Sequence, residues 1–249
     1  MSTINNAFYD ELGSRWGTDC DHPIALLRAE NALRNPWIAS LISKDSSVLD
    51  IGCGAGLLTN DLAKRHIRRV VGIDLSLGAL KEAKEHDQTA QVLYKQANAN
   101  ALPFDNEEFD VVCAMDVLEH VEDPEMVIKE ASRVLKPGGL FFFHTFNRNW
   151  LSYFTVIKGL EWFVANTPKN LHVYPLFIKP RELKAMLSTH GLQDSFWQGI
   201  RPVIRQKAWK AFFSKGRITP DFRFRFVNSL STGYCGYAVT TPSPKGEGF

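Results

Sequence analysis

The segment running from Val48 to Gly56, VLDIGCGAG, constrains this chain more than any other. An apolar run closes on an acidic residue, Asp50, and Gly52, Gly54 and Gly56 follow at alternate positions. Residues without a Cβ let the backbone turn sharply and approach a bound group. The helical pattern from Leu57 to Arg65 brings a helix N-terminus to the same point. The spacing is D-x-G-x-G-x-G, not the G-x-G-x-x-G of dinucleotide pyrophosphate sites. A second apolar run, Arg69 to Ile73, ends at Asp74, where a carboxylate can accept from both hydroxyls of a ribose. A tight turn whose glycines serve packing alone is the plainer alternative. The strand before, the helix after and the acid at the next strand end together predict a nucleoside ligand.

The same rhythm continues. Strands are expected at Ser47–Ile51, Arg69–Ile73, Val92–Gln96, Phe109–Ala114 and Gly139–Thr145, with helices at Gly78–Glu85 and Pro124–Leu135 between them. Strands apolar throughout are buried on both faces, and alternation with helices implies a parallel sheet covered on both sides. The expected fold is α/β, a Rossmann-like, doubly wound, mostly parallel sheet forming one domain over residues 1–242. Residues 1–44 read as N-terminal helices, with Ile24, Leu27, Ala32 and Leu33 near helical spacing. Residues 45–146 form the core, 147–179 an insertion after strand five, and 180–242 a C-terminal part with a helix at Pro180–His190 and a last strand at Gly233–Thr240. The tail 243–249 reads as disordered.

Composition narrows the function. A net charge of +2 over 249 residues gives no global field toward nucleic acid or membrane. Cys20, Cys53, Cys113 and Cys235 form no CxxC pair, which argues against a zinc knuckle and for buried thiols in a reducing cytosol. The start, MSTINNAFYDELGSRW, lacks the basic and apolar parts of a signal peptide. The most apolar stretch, Trp150 to Ala165, is interrupted by Lys158 and Glu161 and is too short to span a bilayer. A soluble, cytoplasmic protein is expected.

From about residue 45 to 145 the chain resembles the class I S-adenosylmethionine-dependent methyltransferases. The resemblance implies that the loop of Gly52, Gly54 and Gly56, with Asp50, holds the amino-acid part of S-adenosylmethionine. It implies that Asp74, with Leu75 beside it, holds the ribose. The turn NANALPF, with Asn98 and Ala99, lies where adenine is met, although the family often has Asp in place of Asn98. Met115 lies near the sulfonium, and the run from Leu135 to Gly139, LKPGG, is a further hallmark. Outside that core the chain resembles the O-methyltransferases of ubiquinone biosynthesis. The similarity is carried by LGSRW at Leu12–Trp16, by Leu27, Arg28, Asn31 and Arg34, and by DVLEHVEDP from Asp116 to Pro124. It continues in TFNRN from Thr145 to Asn149, in Thr167, Pro168, Lys169 and His172, and in FIKP from Phe177 to Pro180. It implies that Arg34 contacts the cofactor and that Asp116, Glu119 and His120 occupy the family's divalent-metal motif. Asp116 stands where Glu is usual. The implied substrate is a polyprenylated catechol.

A methyl on a sulfonium is already electrophilic, so such an enzyme mainly has to align three atoms. A phenol of pKa about 10 must also lose its proton near neutral pH. A histidine can take it, or a divalent cation on adjacent catechol oxygens can acidify it. Glu119 and His120 are the expected catalytic pair; Asp116, Glu119 and His120 the candidate ligands for Mg²⁺, Mn²⁺ or Zn²⁺. The plainer reading is that EHVEDP only starts the next helix. His144 and His172 are rival bases, and Asn147, Arg148 and His172 candidate substrate contacts, with capping and loop hydrogen bonding as the alternative.

Two segments remain. From Trp150, the residues Tyr153, Ile157, Leu160 and Val164 repeat at helical spacing in a helix apolar almost all round, able to cover a greasy substrate or dip into a bilayer surface. Between Arg201 and Val227, Arg201, Arg205, Lys207, Lys210, Lys215, Arg217, Arg223 and Arg225 interleave with Trp209, Phe212, Phe213, Phe222, Phe224 and Phe226. That composition suits anionic lipid, stacking on RNA, or a solvated face over an ordinary core. No N-P-P-[FYW] tetrapeptide follows strand four, which argues against nucleic acid. The other readings are a methyltransferase of a different phenol or lipid, an RNA methyltransferase, and a non-catalytic nucleotide-binding subunit.

Overall fold

The computed structural model describes residues 5–241, so the expected tail at 243–249 lies outside the described residues. Eight strands form one sheet in the order β3-β2-β1-β4-β5-β8-β6-β7. The strands β1 (Ser47–Ile51), β2 (Arg69–Asp74), β3 (Leu93–Gln96), β4 (Phe109–Met115) and β5 (Leu135–Phe146) are parallel. The strands β6 (Leu192–Pro202), β7 (Phe224–Val227) and β8 (Gly233–Thr240) complete the sheet antiparallel. Every residue of β1 is buried, as an apolar strand at the centre of a doubly covered sheet must be.

The helices are α1 (Ala7–Glu11), α2 (Arg15–Thr18), α3 (Ile24–Leu41), α4 (Thr59–Lys64), α5 (Leu77–His86), α6 (Pro124–Val134), α7 (Trp150–Ser152), α8 (Gly159–Phe163), α9 (Pro180–Thr189) and α10 (Trp209–Lys215). Successive residues of β5 serve opposite layers. Phe141 and Phe143 pack with Val127, Ile128 and Ala131 of α6 and Leu183 of α9, while Phe142 packs with Ile38 of α3 and Leu62 of α4. A separate cluster of Ala25, Val164, Ala208, Phe212, Ile218 and Phe222 ties the start of α3 to the segments beyond β5.

Three sequence expectations change. The fifth strand begins at Leu135, not Gly139, because Leu135 pairs with Phe109 before the register shifts through the glycine pair. The helix after Trp150 is not continuous: a π-helical stretch, Tyr153–Lys158, separates α7 from α8. Its expected inner face holds, with Ile157 and Val164 buried, while Trp150, Leu151, Phe154, Trp162 and Phe163 are exposed. The basic aromatic segment contains α10 and β7, and four of its six aromatics belong to ordinary core: Phe212 and Phe222 are buried, with Trp209 and Phe224 against them. No helix among the described residues is long and apolar enough to cross a membrane.

Candidate functional site

The chain leaves β1 toward β2 and β3 on one side and returns to β4 on the other, so a crevice opens above the carboxyl ends of β1 and β4. A cavity of about 1010 Å³ starts there. Twelve of the sequence-predicted residues line it: Asp50, Gly52, Gly54, Asp74, Leu75, Asn98, Ala99, Met115, Asp116, Glu119, His120 and His172.

The glycine turn is shaped by what surrounds it. A Cβ on Gly52, at φ +68°, would stand 2.6 Å from the Val117 side chain; one on Gly54 would stand 2.8 Å from the Trp16 ring. Both positions exclude any other residue and leave backbone exposed to a ligand. Gly56 does not line the cavity. Its Cβ would meet the Tyr94 hydroxyl at 2.4 Å, so it serves helix–sheet packing, which corrects the expectation that it binds cofactor. Asp74 accepts from the Gly54 N–H at 2.9 Å and the Ser76 N–H at 2.8 Å, so its carboxylate is fixed beside the turn. Burial raises its pKa, and the backbone donors of Ser76, Gly54 and Leu75 oppose that rise. Asp50 is buried, and burial, reinforced by the charges of Asp74 and Asp116, raises its pKa far above the carboxylate range. The Asn98 side chain accepts from the Asn100 N–H at 2.9 Å, which holds the turn after β3 against the cavity.

The crevice therefore fits an adenosyl ligand: a glycine cradle that a Cβ would fill, a fixed carboxylate at the next strand end, and an apolar turn beyond. A family model described as a methyltransferase domain matches residues 49–143. The ubiquinone biosynthesis O-methyltransferase of Nitrosomonas europaea is 39% identical over 210 residues, covering 82% of this chain and 88% of that one. That of Coxiella burnetii (strain RSA 331 / Henzerling II) is 39% identical over 166 residues, covering 66% and 70%. The chain belongs to the ubiquinone biosynthesis O-methyltransferases. It is an S-adenosylmethionine-dependent O-methyltransferase. Solved structures agree on the fold. A putative methyltransferase of Haloferax volcanii, in complex with the Trm112 activator, superposes with TM-score 0.68 at 18% identity, over 97% of this chain and 100% of that one. The magnesium protoporphyrin IX methyltransferase of Synechocystis PCC 6803, with bound SAH, gives 0.60 at 16% identity, over 97% and 90%.

Besides Gly56, four candidate residues lie outside the cavity of this methyltransferase. Arg34 is fully buried and donates to both carboxylate oxygens of Asp116, one of them at 2.8 Å. Its other neighbour is Glu30, at 3.5 Å. It is a positioning residue below the cleft rather than the cofactor contact the resemblance implied. Asn147 donates to the Leu230 carbonyl at 2.8 Å, and Arg148 pairs with Glu182 at 2.6 Å and reaches the Pro175 and Phe177 carbonyls. Both tie loops together and neither faces substrate space. His144 is also buried, with Nδ1 on Asp116, which removes it as a rival base.

The candidate metal set is not assembled either. Among the described residues, the metal-capable atoms that come within 4.8 Å of one another belong to Glu30, Asp116 and His144, not to Asp116, Glu119 and His120. The Arg34 guanidinium already lies against that acidic pair. Asp116 adopts φ +59°, a left-handed conformation that aspartate tolerates better than most residues. Burial alone would raise its pKa, but the charges of Arg34 and His144 outweigh burial and hold it far below the usual range. Asp116 is thus a committed counterion and does not fit as a metal ligand.

Glu119 and His120 remain. Glu119 is buried with both carboxylate oxygens unpartnered, and burial followed by the Asp116 charge raises its pKa to about 7. His120 Nδ1 is buried without a partner, and burial lowers its pKa to about 4. Its ring lies 5.5 Å from that of His172, whose pKa burial lowers to about 3. Sequence reading missed the N-terminal wall of the site. Tyr9 meets the His120 ring edge-on at 5.6 Å, and Asn6 donates to the His120 carbonyl at 3.1 Å. Asp10 accepts from Ser76, folding α1 over the cleft. The apolar residues preceding LGSRW, Phe8 and Tyr9, were the only available signal.

Proposed function

We propose that this enzyme methylates a hydroxyl of a catechol ring bearing a polyprenyl tail, an intermediate of ubiquinone biosynthesis. The observation that carries the reading is the pairing, in one cavity, of a cofactor cradle with a half-buried neutral histidine, its Nδ1 unpartnered, at the edge of a large apolar space. S-adenosylmethionine supplies a methyl on a cationic sulfur. Gly52, Gly54 and Asp74 would hold that cofactor, and Met115 lines the same cavity where a ring could be aligned with it. His120, kept neutral by burial, accepts the phenolic proton as the oxygen becomes nucleophilic, with Glu119 beside it to balance the new charge. The walls supplied by Tyr9, Phe146 and His172 keep water from the reacting oxygen.

A second reading is favoured by the two unpartnered oxygens of Glu119. Glu119 and His120 fit a divalent cation as two ligands, and such an ion would acidify a catechol bound through both oxygens. One assay decides. Incubation with S-adenosylmethionine and a panel of catechols, phenols and RNA is followed by S-adenosylhomocysteine release, with and without chelator. Turnover of catechols that survives chelation supports His120 as the base; loss restored by one metal supports the cation; activity on RNA alone ends both.

The same enzyme is proposed to touch anionic membrane at the face carrying Trp150, Trp162, Ile204 and Phe213, which are 72%, 63%, 74% and 61% exposed. Lys207, Lys210 and Lys215 lie in the same basic segment. Exposed apolar side chains beside lysines suit a lipid interface, each basic residue contributing about 1 kcal/mol there. Flotation with anionic vesicles tests this. Wild type should float and a variant with those lysines changed to Glu should not; absence of floating in both removes the proposal.

A further inference from the structure

One polar group in the cavity wall has so far served only to exclude water. His172 lies in the connection between α8 and α9, and its neighbours Leu171 and Val173 are buried. Two aromatics fix its ring: Phe146 meets it edge-on with centroids 5.2 Å apart, and Phe177 meets it edge-on at 6.0 Å. Among the described residues its Nδ1 is buried with no hydrogen-bond partner. Its Nε2 is not sealed in this way and is also unbonded, so the open end of the imidazole is turned to the cavity that the residue lines. His120 repeats the pattern in the same cavity, with Nδ1 buried and unpartnered and Nε2 open. The two rings are 5.5 Å apart and inclined by 51°, side by side rather than stacked. A polar ring enclosed by phenylalanines without a partner is costly unless a ligand supplies one. Each imidazole can donate one hydrogen bond and accept another. Two of them side by side match two adjacent hydroxyls, whereas a lone phenol satisfies only one.

We propose that His172 binds the hydroxyl next to the one that is methylated, so that His120 and His172 together form a receptor for a vicinal diol. This assignment rests on the catechol reading above and deepens it. His120 takes the reacting oxygen, and His172 holds the neighbouring one and thereby fixes the rotation of the ring in its plane. His172 then decides two things: that catechols are preferred to monophenols, and which of two unlike hydroxyls receives the methyl. Its clamp between Phe146 and Phe177 gives the second contact a fixed place, as orientation of a reacting group requires.

The test uses nitrocatechol and nitrophenol, whose absorbance reports binding, in the presence of S-adenosylhomocysteine and of chelator so that no cation grips the diol. His172→Phe keeps an aromatic ring against Phe146 and Phe177 and removes its hydrogen bonds. His172→Gln returns a donor and an acceptor. Calorimetry with S-adenosylhomocysteine confirms that each variant is folded with its cofactor site intact. The wild type should bind nitrocatechol at least about tenfold more tightly than nitrophenol; His172→Phe should bind the two alike, and His172→Gln should recover part of the preference. Turnover of nitrocatechol with S-adenosylmethionine gives a second readout, the ratio of its two monomethyl ethers. That ratio should move toward parity in His172→Phe and back in His172→Gln, a change that a merely structural role would not produce. No preference for nitrocatechol in the wild type, or a preference and an isomer ratio that His172→Phe leaves intact, would overturn the receptor. If nitrocatechol is not methylated with or without added metal, the catechol reading has failed, and the binding comparison alone decides whether His172 holds a diol.

Discussion

The guanidinium of Arg34 grips both carboxylate oxygens of Asp116, joining the middle of α3 to the residue that leaves β4 beneath the cofactor crevice. His144 of β5 closes on the same carboxylate. Three elements are thereby keyed together by one buried charge cluster under the reacting groups. Arg34→Met strands Asp116 without its cation, and removing one partner of a buried pair costs about 3–5 kcal/mol. Urea unfolding should show a loss of that order, with much of it recovered in the double variant Arg34→Met, Asp116→Asn. An additive double variant would mean that the two residues do not act as a pair.

Cofactor affinity should depend on Asp74 through both the ribose and the turn it fixes. Asp74→Asn keeps the shape and removes the charge. Calorimetry with S-adenosylhomocysteine should show about 10- to 100-fold weaker binding, the loss expected for hydrogen bonds to a charged group at about 1.5–3 kcal/mol. Affinity equal to wild type would place the ribose elsewhere.

His120→Ala should lower kcat by about 10²–10⁴-fold, the usual contribution of a positioned proton acceptor, while leaving S-adenosylhomocysteine binding within a few-fold. His144→Asn should instead act mainly on stability, because its ring contacts Asp116 and lies outside the cavity. The contrast separates the two histidines that sequence reading left as rivals.

Acid should weaken the far end of the sheet through Asp110. Burial pushes its pKa up, but hydrogen bonds from Lys136 and from the Ser47 N–H and hydroxyl outweigh this and bring it down to about 2. A folded-state pKa below the unfolded value, ordinarily about 3.9, gives stability that is present above the unfolded value and is lost as pH falls toward the folded one. Asp110→Asn should therefore be less stable than wild type at neutral pH, with the gap closing between about pH 4 and pH 2. Urea midpoints for the two proteins across that range provide the measurement.

That the candidate cofactor residues gather at one crevice was legible because the determinants of their placement are local. The glycine turn, Asp74 and the Asn98 turn each sit at the end of a strand whose apolar run announces it. The wall that receives substrate was not, because it is assembled from distant segments. Tyr9 reaches His120 across more than a hundred residues, and Arg34 reaches Asp116 across 82. No spacing rule relates such pairs, so Asp116, read through its neighbours Glu119 and His120, looked like a metal ligand when it is Arg34's counterion. The strand β6 was missed for a related reason. Phe196 and Trp197 are both partly exposed near a register shift, and the alternation that marks a half-buried strand is lost there. The strand β7 was hidden within the basic aromatic segment, where Arg225 lies between Phe224 and Phe226.

The position of β8 has a bearing on how the molecule is made. It lies between β5 and β6, so residues 233–240, which emerge after the other seven strands, supply the interior of the sheet instead of its margin. Until they arrive, β5 presents an unpaired edge and the hairpin of β6 and β7 has nothing to join. A nascent chain stopped short of residue 233 would hold a nearly finished cofactor half with a raw, aromatic-rich strand open to neighbours, a species prone to aggregate.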